Sequence, residues 1–93
     1  MFTLEEVAAE SRADAAAGAS IAQILEGILA ALGADYSPFR FIAVLRTAFD
    51  VPVRNLKDIL DWGRLSEVGT SSTAEAIELV RPWLVAAGAA DGI

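Results

Sequence analysis

Signals that start and stop helices recur along this chain, and they constrain its fold more than any other feature. In a capping box, a Ser or Thr side chain and a Glu or Gln three residues later bond each other's backbone N–H groups. This spacing occurs at Thr3 with Glu6, at Ser20 with Gln23, and at Ser72 with Glu75. A fourth start signal is Ser37 followed by proline at the first helical position. Glycine or proline stands where the helical runs should end.

Apolar residues between these signals recur at helical spacing and predict five helices. Their expected ranges are residues 4–17, 21–32, 38–49, 53–62, and a last helix that begins after Ser72. No run alternates apolar and polar residues for long enough to predict a strand. We therefore expect an all-α fold, a single compact globule of four to five short helices. It should occupy residues 1–87, followed by a frayed tail over residues 88–93.

The second and third helices are expected to supply most of the core. Only Gln23 and Glu26 are polar in the second, which should therefore lie centrally. The residues predicted to be buried in the third helix are Phe41, Ile42, Leu45, Ala48 and Phe49. Those predicted to be buried in the fourth are Val53, Leu56, Ile59 and Leu60. Pro82 removes a backbone donor from the last helix and should kink or split it.

The residue types that most often carry chemistry are missing. The chain has no His and no Cys, and Lys57 is its only lysine. Imidazole acid–base catalysis, thiol nucleophiles and zinc sites all draw on these types. Asp58 and Asp61 lie on one predicted helix, but we expect each to pair with the basic residue four positions before it, Arg54 and Lys57 respectively. We expect no catalytic, cofactor-binding or metal-binding residues, and hence no enzyme.

Charge is unevenly spread along the chain, whose formal net charge is −6. Residues 1–35 carry −5 and residues 65–93 carry −3, whereas residues 36–64 hold five basic and three acidic residues. An acidic chain with a mildly basic middle is a poor nucleic-acid binder, because attraction to phosphates grows with the number of cationic contacts.

Composition also bears on location and source. Acidic residues stand near the N-terminus where a signal peptide would carry basic ones, and polar residues interrupt the apolar segment 15–34. We therefore expect a cytoplasmic protein that does not cross a membrane. The alanine content, with more Arg than Lys, suggests a bacterial source with GC-rich DNA.

Part of the basic middle resembles a known family. Val44-Leu45-Arg46, a short break and Leu56-Lys57-Asp58-Ile59-Leu60 are similar to the helix–turn–helix stretch in the C-terminal domain of the bacterial ribosomal-stalk protein. The resemblance covers residues 44–60, with Asp50 in place of the turn glycine and without the flanking strands. It implies shared helix–turn–helix geometry and no function.

These features favour stoichiometric binding of another protein, as an immunity or antitoxin-type inhibitor or as an adaptor. We expect the partner to bind the third and fourth helices and the loop after them, at Arg46, Arg54, Trp62 and Arg64. This is the net-positive part of the chain, and a tryptophan at a helix end should be only half covered. Trp62 and Trp83 also fit a second interpretation, as lids at the edge of the core. The competing surface is the acidic first helix.

Two other expectations concern partners. The alternative function is DNA binding by a helix-turn-helix regulator that uses the helix pair 38–62, although acidic residues on its second helix would face the phosphates. Nucleic acid is otherwise not expected as a partner. We also expect a homodimer, because the second and third helices carry more large apolar side chains than the other helices can cover.

Overall fold

The computed structural model describes residues 3–65, 69 and 72–91, and over these residues the fold is all-α, as predicted. The helices are α1 (Leu4–Ala16), α2 (Ile21–Leu32), α3 (Pro38–Phe49), α4 (Val53–Ile59) and α5 (Thr73–Ala86). A 3-10 turn, Gly33–Asp35, joins α2 to α3. The molecule measures 33 × 30 × 21 Å along its principal axes. None of the described helices combines the length and the hydropathy that crossing a membrane requires.

Serine side chains begin three of these helices, as predicted. Ser20 and Ser72 each form a complete capping box with the Gln or Glu three residues later. The Ser37 side chain accepts a hydrogen bond from the N–H of Arg40, with proline at the first helical position. These bonds satisfy N–H groups that the first helical turn leaves without a partner.

The capping box predicted at Thr3 is wrong. Its side chain makes no capping hydrogen bond, and only the ordinary first helical bond forms, in which the N–H of Val7 donates to the Thr3 carbonyl at 3.1 Å. The difference lies in the backbone angle. The serine caps have ψ between 154° and 168°, whereas Thr3 has a ψ of 113°, so its hydroxyl does not meet the first turn.

Helices α2 and α3 supply the centre of the core, as predicted. The buried residues of α2 are Ile21, Ile24, Leu25, Ile28 and Leu32. Those of α3 are Phe41, Val44, Leu45 and Phe49. Ile42 and Ala48 are half-buried rather than buried, because the inward face of α3 centres on Val44 and Leu45. The opposite side of α2 carries small or polar residues and is exposed.

Small residues let α1 pack closely against α3. Ala8 and Ala15 are fully buried, and Val7 is 8% exposed. Ser11 is also buried, and its hydroxyl donates to the Val7 carbonyl at 2.9 Å. Because small side chains allow two helices to approach closely, the thin apolar side of α1 still closes one wall of the core.

Helix α4 is shorter than predicted and ends at Ile59. The next three residues bond to carbonyls three positions back: Leu60 to Lys57 at 3.3 Å, Asp61 to Asp58 at 3.2 Å and Trp62 to Ile59 at 2.9 Å. This is the tighter winding that often ends an α-helix.

The prediction that Val53 belongs to the core is also wrong, since Val53 is 53% exposed. Leu56 and Ile59 define the buried side of α4. Val53 lies six residues before Ile59, which places it about 120° away around the helix axis.

The frayed tail predicted for residues 88–93 does not fit residues 88–91. Ala89 is buried, and the N–H of Ala90 donates to the Ala19 carbonyl at 2.9 Å. Ser20 and Ala90 form an isolated parallel bridge. Residues 88–91 therefore close over the junction between α1 and α2. Residues 92 and 93 lie outside the described residues.

Pro82 does not split α5, which runs through it from Thr73 to Ala86. Ion pairs surround this point: Arg81 bonds Glu78, and its Nε lies 2.8 Å from Oδ1 of Asp91. The second contact joins α5 to the docked segment that follows it.

Candidate functional site

A tight turn of three residues, 50–52, joins α3 to α4. Asp50 ends α3 in the left-handed conformation, with φ 57° and ψ 36°, and its N–H donates to the Arg46 carbonyl at 2.9 Å. An aspartate tolerates this conformation better than most side chains, so it can replace the turn glycine. Val51 is fully buried and fixes the turn to the core, and Pro52 leads into α4.

An apolar groove of about 260 Å³ runs between these two helices, and we call it the α3–α4 groove. Its lining residues are Phe39, Ile42, Ala43 and Arg46 of α3 with Val53, Leu56 and Lys57 of α4. Phe39 is 73% exposed and Val53 is 53% exposed, whereas Leu56 belongs to the core. The two most exposed large apolar side chains of the described residues therefore border the same groove.

Helical spacing explains why α3 has a second apolar side. Positions 39, 42, 43 and 46 follow the i, i+3, i+4, i+7 pattern of one helix face. Phe39 lies two residues before Phe41, which places the two rings on nearly opposite sides of the helix. Sequence reasoning missed Phe39 because it gave α3 one apolar face and placed Ile42 in the core. The spacing itself was the signal that could have found it.

The predicted site residues fall in different environments. Arg46 is exposed and lines the groove. Arg54 is exposed on α4, next to Val53 in sequence, but it does not line the groove. Trp62 and Arg64 belong to other parts of the molecule. Of the four residues predicted for partner binding, Arg46 therefore lines the groove.

The expectation that Trp62 is half covered is wrong, because its side chain is 1% exposed. Its Nε1–H donates to Oγ1 of Thr73 at 3.2 Å, and its ring centroid lies 6.0 Å from that of Phe41, with the planes tilted by 53°. Since α4 ends early, Trp62 lies on a tight turn that returns to the core rather than on an exposed helix end. Trp62 is thus part of the packing. Trp83 is half-buried against the core, as the lid interpretation expects.

Arg64 is engaged by a carboxylate of α2. Its Nε and a terminal nitrogen donate to the two oxygens of Glu26, at 3.0 and 2.6 Å. This two-point contact raises the pKa of the Arg64 guanidinium above its ordinary value, through the hydrogen bonds first and the charge attraction second. Both side chains are about half exposed, so the pair positions the turn after α4 more than it stabilises the fold.

The ion pairs expected on α4 do not form. Neither Arg54 with Asp58 nor Lys57 with Asp61 occurs among the ion pairs of the described residues. Arg46 of α3 has no side-chain partner there either. Arg46, Arg54 and Lys57 therefore have no carboxylate partner among the described residues, and two of them, Arg46 and Lys57, line the α3–α4 groove.

The other side of α4 has the opposite character. A cleft of about 460 Å³ between α4 and α5 is lined by Asp58, Asp61, Glu75 and Glu78, together with Asn55 and Leu79. The Asn55 side chain donates to the Leu79 carbonyl at 2.8 Å and joins the two helices. No group of three or more metal-ligating side chains in the described part of the chain could hold a metal ion. Helix α4 thus has an apolar groove bordered by two basic residues on one side and an acidic cleft on the other.

Comparison with protein-family models, with curated proteins and with solved structures finds no match for this chain. The assignment of a function therefore depends on the chemistry of the surfaces. Among the surfaces of the described residues, the α3–α4 groove combines exposed large apolar side chains with unpaired cations.

Proposed function

We propose that the chain is a stoichiometric protein-binding module, of the inhibitor or adaptor type, that holds its partner in the α3–α4 groove. The observation that carries the proposal is the exposure of Phe39 and Val53 on two helices that border one groove. Single exposed apolar residues are common on proteins, but an apolar groove with an aromatic ring at its edge is typical of an interface.

Energetics support this use of Phe39. Fully burying a side chain of this size is worth about 1.5–3 kcal/mol, and folding leaves most of that gain unused here. Aromatic anchors of this kind often dominate the free energy of a protein interface. The groove is preformed on helices fixed to the core, so binding loses little conformational entropy in ordering it.

The groove offers contact rather than chemistry. Five of its seven lining residues are apolar, and the other two are the cations Arg46 and Lys57. The sequence supplies neither imidazole nor thiol. We therefore propose binding without turnover, cofactor or metal. As part of the same proposal, the absence of cysteine supports a cytoplasmic setting, and the alanine content with more Arg than Lys supports a bacterial source.

DNA binding by the α3–α4 pair is the alternative function, and the unpaired cations are what favours it. Two features weigh against it. Helix α4 has only seven residues, which is short for a helix that reads the major groove. The acidic cleft on its other side would repel the phosphates that flank the reading helix.

Affinity capture with matched variants tests the proposal. Tagged wild type, Phe39→Glu and Val85→Glu would be used as baits in an extract of the cells that produce the protein. Val85 is 40% exposed on α5 outside the groove, so its variant makes the same change of charge at a comparable apolar position. We expect one protein to co-purify near one-to-one with the wild type and with Val85→Glu, and to be lost with Phe39→Glu.

Other outcomes have distinct meanings. A protein that binds all three baits equally would show that the groove is not the interface. Capture of nucleic acid that is steeply reduced by salt would favour the DNA-binding alternative. Folding of each bait would be checked by circular dichroism before capture.

A further inference from the structure

The basic residues of this chain differ in whether other groups of the protein engage them. Arg64 and Arg81 are ion-paired, and Arg12 donates to the backbone carbonyl of Thr47 at 3.2 Å. In contrast, Arg46 and Lys57 line the α3–α4 groove without an ion-pair partner among the described residues. In a chain of net charge −6, cations left unpaired beside an apolar groove are available to an external carboxylate.

The size of the groove limits its occupant. Its volume of about 260 Å³ is below the 300–1,000 Å³ that is typical of pockets that enclose small molecules. Phe39 projects at its edge rather than roofing it, since most of this side chain is exposed. A shallow groove between two helices suits the apolar side chains of a docked peptide segment.

The charges on the two sides of α4 favour one class of peptide segment over the others as the occupant of the groove. A basic segment would be repelled by Arg46 and Lys57 and attracted by the acidic cleft instead. A second copy in a two-fold contact would bring these cations close to their own counterparts. An acidic segment would be attracted by the cations at the groove and repelled by the carboxylates of the cleft. Of the two sides of α4, only the groove side therefore suits it.

We infer that the α3–α4 groove takes an amphipathic segment of another protein whose large apolar side chains are flanked by Asp or Glu. This inference rests on the proposed function and names the class of partner. The apolar side chains would pack on Phe39 and Val53, and the carboxylates would meet Arg46 and Lys57. The acidic composition of the whole chain would suggest a basic partner. The cations at the groove instead favour an acidic partner segment.

A displayed library of random peptides tests the inference without knowledge of the natural partner. The library would be selected on the full chain and depleted on Phe39→Glu. We expect the enriched peptides to share large apolar residues at helical spacing and an excess of Asp and Glu. The tightest of them would then be synthesised and its affinity measured against variants at low and high salt.

For that peptide, Phe39→Ala should weaken binding by about tenfold or more, as expected for an aromatic anchor. Arg46→Gln and Lys57→Gln should each weaken it by several-fold and flatten its salt dependence. Arg12→Gln removes one cation away from the groove and is the matched control, for which we expect no change in affinity.

Three results would overturn the inference. They are enrichment of peptides that are basic or lack an acidic excess, binding that does not depend on Phe39, and no enrichment over the depleted library. These results are distinguishable from failure of the proposed function. A Phe39-dependent protein captured from the extract would still establish binding in the groove, with a partner segment of different charge.

Discussion

Leu45 and Arg46 are neighbours in sequence but have opposite environments. Leu45 is fully buried at the centre of α3, whereas Arg46 is exposed at the groove. Truncating a buried leucine to alanine costs about 2–5 kcal/mol, because it removes apolar contact and leaves a cavity. We expect Leu45→Ala to lose that much free energy of unfolding and Arg46→Ala to change it by less than about 0.5 kcal/mol. Urea denaturation of both variants is the measurement, and equal losses would contradict the orientation of α3.

Tyr36 predicts a dependence of stability on alkaline pH. Its hydroxyl donates to the Leu65 carbonyl at 2.7 Å, and burial raises the pKa of this phenol above its ordinary value of 10.0. The folded state therefore favours the protonated form. This contribution is complete below the pKa of the unfolded chain and is lost as the pH rises through the folded-state pKa.

We expect Tyr36→Phe to be less stable than the wild type at neutral pH by about 0.5–1.5 kcal/mol, the usual worth of one hydrogen bond. The gap between the two proteins should narrow as the pH rises past the ordinary phenol pKa. Denaturant unfolding at neutral and alkaline pH measures this gap. Since the chain has one tyrosine, ultraviolet absorbance of the phenolate also gives its pKa directly. A folded-state midpoint at or below that of the unfolded chain would refute the shift.

Single residues were harder to place from sequence than the helices that carry them. Phe39 and Trp62 show why. Periodicity alone does not distinguish a buried face from an apolar face that its neighbours leave uncovered, so Phe39 was missed. The burial of Trp62 depends on where α4 ends, and the switch to tighter winding after Ile59 has no clear signal in the sequence.

At the scale of helices, the serine caps allow a matched test. Ser20 accepts a hydrogen bond from the N–H of Gln23 at 3.1 Å, whereas the Thr3 side chain caps nothing. We expect Ser20→Ala to lower the free energy of unfolding by about 1 kcal/mol and Thr3→Ala to have a much smaller effect. Thermal or chemical denaturation of the two variants tests this difference. A comparable loss for Thr3→Ala would mean that its hydroxyl caps α1 in solution.

Two glycines differ in whether the structure leaves room for a side chain. Gly88 lies where residues 88–91 contact α1, and Gly27 lies within α2. Gly88 has a φ of 112°, and a Cβ added there would lie 2.8 Å from the Ala15 carbonyl oxygen. Gly27 lies exposed within α2, where an added Cβ meets nothing closer than an Asp14 carboxylate oxygen at 4.0 Å.

We expect Gly88→Ala to destabilise the protein by more than about 1 kcal/mol, because both the backbone angle and the close carbonyl oppose a side chain. Gly27→Ala should stabilise it by about 0.5–1 kcal/mol through helix propensity. Equilibrium unfolding of the two variants checks the opposite signs. A neutral Gly88→Ala would mean that residues 88–91 do not stay docked on α1 in solution.

The helices that begin with a serine were predicted from the sequence because capping is local, and α2 and α3 have the predicted bounds. The docking of residues 88–91 was not predictable in this way. It depends on Ala90 bonding to Ala19, a contact between residues far apart in the chain. The α3–α4 groove was partly predictable. The helical spacing of its apolar residues can be read from the sequence, but their exposure depends on how the other helices pack.

At the scale of the whole molecule, the homodimer expected from sequence remains a proposal. Fewer exposed apolar residues support it than the sequence suggested. The large apolar residues of α2 are buried except Leu29, which is half-buried, so α2 supplies little reason for self-association. In the described residues, Phe39 and Val53 are the exposed apolar pair that a second copy would cover. Such a contact would bring two chains of net charge −6 together and place the cations of the two grooves near one another.

Salt therefore separates the two uses of the groove. Self-association works against like charges and should strengthen as ionic strength rises from about 0.01 to about 1 M, because the Debye length falls from about 30 to about 3 Å. Binding of an acidic segment should weaken over the same range. We expect sedimentation velocity of the isolated chain to show a monomer at low salt and a growing dimer fraction at high salt, abolished by Phe39→Glu and kept by Val85→Glu. A strict monomer at high concentration and high salt would contradict the homodimer, and the groove would then be available to a different protein. A dimer that is unaffected by Phe39→Glu would place the contact between copies on another surface.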